Sequence, residues 1–110
     1  VKIHILRERV TPDQVAEMLE ELKTYIKLAV DVERKIVAGG GEWHADCEQL
    51  LLDQGCRQEN IWGADWYPDQ KLVGFESLIN IRPRQNNRTS LIQSIELQKQ
   101  IEQIIRSIFE

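Results

Sequence analysis

Three consecutive glycines, Gly39-Gly40-Gly41, divide the chain. Glycine loses more backbone freedom on ordering than any other residue, so no helix or strand interior runs through such a stretch. Any element before the glycines must be complete by residue 39, and the next element must start afresh. Ahead of them, Leu28, Val30 and Val32 alternate with Ala29, Asp31 and Glu33, and Ile36-Val37-Ala38 resumes after the charged group Glu33-Arg34-Lys35. A period of two is that of a strand with one buried face. The charged interruption reads as a hairpin, with one long strand as the alternative. After the glycines the sequence predicts a short helix over about residues 45–54, with Cys47, Leu50 and Leu51 inward and Gly55 as its C-cap.

Similar signals place the other elements. Residues 2–7 read as a first strand with Ile3 and Ile5 on one face. Thr11 is then placed as an N-cap, Pro12 at the first helical position and Gln14 to close a capping box, with Val10 and Val15 where a hydrophobic staple packs. Val15, Met18, Leu19, Leu22 and Ile26 continue at helical spacing. Residues 60–66 and 73–81 read as two strands around the turn Tyr67-Pro68-Asp69-Gln70, and Pro83 closes the second. Ile101, Ile104, Ile105 and Ile108 mark an amphipathic helix over residues 94–109, with Glu102 and Arg106 paired on its outer face. The order is β-α-β-β-α-β-β-α. Strands joined by tight turns imply an α+β fold with a mostly antiparallel sheet and the helices packed on one side.

With 110 residues, the sequence is expected to form a single domain over residues 1–110. Its 42% hydrophobic and 29% charged content is that of a folded globule and not of a disordered chain. A net charge of -4, with most basic residues alternating with acids, makes nucleic acid an unlikely main partner. No apolar run approaches the roughly 20 residues a membrane span needs, and Val1-Lys2-Ile3-His4 is too polar for a signal peptide. Cys47 and Cys56 fall at the two ends of one helix, about 13 Å apart at 1.5 Å per residue, too far for a disulfide. A reducing cytoplasm fits best.

Three stretches carry candidate chemistry. In Gly39 to Asp46, a glycine turn opens a helix, and His44 stands between Glu42 and Asp46. That pattern suits an anion at free backbone N–H groups, or a carboxylate-oriented general base, so Glu42, His44 and Asp46 form the candidate catalytic set. The plainer reading makes Asp46 with Gln49 an N-cap and the glycines a strand exit. Neither a dinucleotide fingerprint nor a P-loop is present. With two histidines and no Cys-x-x-Cys spacing, no metal site and no cofactor are expected, although Glu42, Asp46, Asp65 and Glu76 are a carboxylate set that no spacing demands. A Cys47–His44 nucleophile pair is weakened by Cys47 lying on the apolar stripe. In the second stretch, Trp62, Ala64 and Trp66 alternate onto one strand face, which reads as core or, if open, as a recognition or dimer interface. In the third, Asn80, Arg82 and Arg88 stand in a strand end and loop suited to a carboxylate or phosphate, or simply form a solvated loop.

The ordered set Val30-Asp31-Val32-Glu33, Gly40-Gly41-Glu42-x-His44-Ala45-Asp46, Leu51-Leu52-x-Gln54-Gly55, Gln58-Glu59-x-x-Trp62-Gly63, Tyr67-Pro68-Asp69 and Ile79-Asn80-Ile81-Arg82-Pro83-x-x-x-Asn87-Arg88 resembles an uncharacterised bacterial family of short proteins, catalogued as a domain of unknown function. The resemblance covers most of the chain and implies a free-standing bacterial cytosolic protein. It brings no activity, cofactor or catalytic residue. The functional expectation is a small binding or regulatory module acting as a homo-oligomer. The alternative is a small enzyme or binding protein for an anionic metabolite, using Glu42, His44 and Asp46 with Arg82 and Arg88.

Overall fold

The computed structural model describes residues 3–110. Its elements are β1 (His4–Leu6), α1 (Pro12–Met18), β2 (Ile26–Asp31), β3 (Ile36–Gly39), α2 (His44–Asp53), β4 (Ile61–Tyr67), β5 (Leu72–Gly74) and α3 (Ile95–Phe109), in the order read from the sequence. Single 3-10 turns at Gln58–Asn60, Leu78–Asn80 and Pro83–Gln85 punctuate the second half. The five strands form one sheet in the order β1-β3-β2-β4-β5, and every pair is antiparallel. The α+β class and the antiparallel sheet therefore stand.

The local signals around the first helix are realised in full. The Thr11 hydroxyl accepts from the Gln14 N–H at 3.2 Å, and Gln14 Oε1 accepts from the Thr11 N–H at 2.9 Å, closing the capping box. The helix stops at Met18, short of the apolar stripe, because Lys23 turns the chain at a φ of 70° and Ile26 enters β2. Val10 and Val15 pack against the core, and the Val10 N–H donates to the Ile108 carbonyl at 2.9 Å, tying the start of α1 to the end of α3. The first strand is shorter than expected, and its first expected residue, Lys2, lies outside the described residues.

The charged interruption is a hairpin. Asp31 faces Ile36 in register, and Asp31 Oδ1 accepts from the N–H groups of Glu33 and Arg34, both at 2.9 Å, so its carboxylate organises the turn. Beyond β3, Gly40 takes a φ of 103°, a conformation a side chain resists. The chain thereby leaves the sheet and starts α2, which ends before Gly55 at a φ of 89°.

The helices do not share one side of the sheet. Ile26, Leu28 and Val30 of β2 join Trp62, Ala64 and Trp66 of β4 under α1 and α3, packed by Met18, Ile101 and Ile105. Ala29, Ile36, Ala38 and Ile61 face the other way and pack with Cys47 and Leu51 of α2. The expectation of a one-sided layer is thus corrected: β2 and β3 are apolar on both faces and need cover on both. Large side chains fill the α3 side, whereas Ala29 and Ala38 let α2 lie close. The expected strand over residues 73–81 also shortens to Leu72–Gly74. Beyond it the Ser77 hydroxyl caps a turn by accepting from the Ile79 N–H, and the backbone leaves the ladder.

Burial on the α3 side sets the first stability prediction. Ile105 is fully enclosed and Ile95, on the same helix, is 63% exposed. In urea titrations Ile105→Ala is expected to lower stability by about 2–5 kcal/mol. Ile95→Ala should stay within about 0.5 kcal/mol of the parent.

Candidate functional site

The α2 side of the sheet carries the charged residues of β2 and β4. On β4, Trp62, Ala64 and Trp66 point to α3, so Gly63 and Asp65 face α2. Asp65 stands opposite Lys27 of β2. His44, the first residue of α2, bonds across to it: Nε2 lies 2.8 Å from Asp65 Oδ1 and 3.1 Å from the Ala64 carbonyl oxygen. Both neighbours are acceptors, so this nitrogen carries the donated proton. The His44 and Asp65 side chains are only about a tenth exposed. Lys27 Nζ donates to the Glu42 carbonyl at 3.0 Å and sits 4.9 Å from the centre of the Trp43 ring. Tyr25 and Tyr67 stack with ring centres 5.0 Å apart, and burial, followed by the Asp65 charge, raises the Tyr67 hydroxyl above its ordinary pKa.

One helical turn further along α2, Glu48 meets Arg82, with Oε2 accepting from Nη2 at 3.1 Å. The guanidinium is engaged on every side. Nε donates to the Ile79 carbonyl at 3.0 Å, Nη1 donates to the Gln58 carbonyl at 2.6 Å, and its plane lies 4.7 Å over the Trp62 ring. Burial lowers the Arg82 pKa, while Glu48 acts in the opposite sense. Arg82 therefore staples α2, the Gln58 turn and the Ile79 turn together, and offers no fork to an anion.

Asn80 is equally engaged. Its Oδ1 accepts from the Gly63 N–H at 2.8 Å, and its Nδ2 donates to the Gly63 carbonyl at 3.0 Å and reaches the Phe75 and Ser90 carbonyls at 3.3 Å. Residues 63 and 65 direct their peptide groups to the same side of β4, and β5 pairs with Asp65. The Asn80 amide thus continues the ladder where β5 has left it. The approach requires glycine, because a Cβ at residue 63 would stand 2.5 Å from Ser77 Cβ. Asn87 repeats the device one layer out, donating to the carbonyls of Asn80, Thr89 and Leu91 and accepting from the Gln93 N–H.

The sequence-derived candidates are redistributed accordingly. His44 is in the site, but its carboxylate partner is Asp65. Glu42 and Asp46 are exposed, and Asp46 lies in the first turn of a helix capped at Trp43, where its charge favours the helix dipole. The polar groups of Arg82 and Asn80 are turned to backbone groups and to Glu48. Arg88 is exposed on its loop and lines neither of the two grooves on this face. Trp62 and Trp66 are 4% and 3% exposed, with Trp66 stacked on Phe109 at 5.7 Å, so these indoles form core and not an interface. Cys47 is fully buried: burial pushes its thiol up to about 11, away from the thiolate a nucleophile needs, and Sγ leans on the Lys27 carbonyl at 3.6 Å. Among the described residues no cluster of His, Cys, Asp or Glu is arranged to hold a metal. No helix among them is long and apolar enough to cross a membrane.

What the sequence did not single out is the surface between these staples. Two grooves flank the Leu78–Ile79 turn. One, of 290 Å3, is lined by Lys27, Trp43, His44 and Ser77. The other, of 550 Å3, is lined by Glu48, Ile81, Arg82 and Arg84. Leu78 and Ile79 are walls of both. Leu78 is 80% exposed, Trp43 60% and Ile81 45%, so three large apolar side chains stand open around one ridge.

The Asn80 clamp sets a prediction about that ridge. Asn80→Ala should cost about 1–3 kcal/mol for each Gly63 group left unpaired. Asn80→Asp should cost no less at neutral pH, since a carboxylate then faces the Gly63, Phe75 and Ser90 carbonyls. Urea titration at pH 7 and pH 4 distinguishes the cases, because protonation is expected to restore part of the loss in Asn80→Asp alone.

No curated protein and no solved structure matches the chain. A family model described as a protein of unknown function, DUF5674, matches residues 4–108. The match spans every helix and strand of the fold, apart from the last residue of α3, and the chain belongs to that family.

Proposed function

We propose that the chain is a binding module rather than an enzyme, and that its docking face is the α2 side of the sheet, centred on Leu78. The observation that carries this reading is the grouping of Trp43, Leu78 and Ile81, all open to solvent, around two adjoining grooves. Scattered exposed leucines are ordinary on a protein surface, but an apolar ridge between concave walls is the form that recognition sites take. Trp is also enriched among the side chains that dominate binding energy.

The enzymatic alternative loses support on the same face. Its anion clamp requires Arg82, whose N–H groups are directed at Ile79, Gln58 and Glu48. Its acid–base set requires Glu42 and Asp46 at His44, where Asp65 stands instead. A cytosolic setting belongs to the same proposal, supported by the unpaired and buried Cys47 and Cys56.

The test is whether the chain needs its ridge for folding. Leu78→Asp is expected to leave stability in urea within about 0.5 kcal/mol of the parent, as for an exposed position without internal partners. A loss of about 2 kcal/mol or more would mean that Leu78 serves the fold itself, and the docking face would have to be given up.

A further inference from the structure

We draw no further inference here: the strongest candidate, the apolar turn at Leu78 between the two grooves of the α2 side, belongs to the docking face already described, and nothing in the structure shows what covers it.

Discussion

The pairing of the Asn80 side-chain amide with the Gly63 peptide is the contact on which the second half of the molecule depends. β5 covers β4 only from Asp65 to Tyr67, which leaves the Gly63 N–H and carbonyl on the outer side of the strand without a backbone partner. A buried peptide group must be matched, and here one side chain supplies both a donor and an acceptor in the geometry of a neighbouring strand. The consequence is spatial as well as energetic. An amide anchored at residue 80 draws the Ser77–Asn80 turn over the sheet, and only the missing Cβ of Gly63 allows it to settle there. Leu78, at the top of that turn, is thereby held out into solvent.

A second set of contacts fixes the same turn from the opposite side. Arg82 reaches Glu48 on α2, the Gln58 carbonyl before β4 and the Ile79 carbonyl of the turn itself. Because α2 also carries His44 to Asp65, a single helix is pinned at two points one turn apart, to β4 by one and to the irregular segment by the other. The polar residues of this face thus form a frame, and the apolar residues Trp43, Leu78 and Ile81 are what the frame presents.

Much of the architecture is legible in the sequence because it rests on local rules. The Thr11 capping box, the glycine-terminated hairpin, the isoleucine stripe of α3 and the inward indoles of β4 each involve residues within a few positions of one another. The side of the sheet chosen by α2 is harder to read, although a trace of it is present. Leu28-Ala29-Val30 and Ile36-Val37-Ala38 are unbroken apolar runs, as expected of strands covered on both faces. The site is less legible still. His44 and Asp65 lie 21 positions apart, and Glu48 and Arg82 lie 34 apart, so no spacing rule connects them. Arg82 and Asn80 stand out in the sequence as unusual, but their residue types do not say whether their donors turn inward to the protein or outward to a ligand. That depends on which carbonyls the fold leaves unmatched nearby.

The closeness of α2 to the sheet carries an implication for how such a face diversifies. The helix rests on Ala29 and Ala38, side chains of a single methyl group, while the opposite layer is filled by leucine, isoleucine and tryptophan. These alanines act as shims. Adding a methylene at either one lifts the helix and carries Trp43, His44 and Glu48 with it, altering the width of both grooves at once. The width of both grooves can therefore change through interior positions that line neither of them, and comparison of surface residues alone would miss the change.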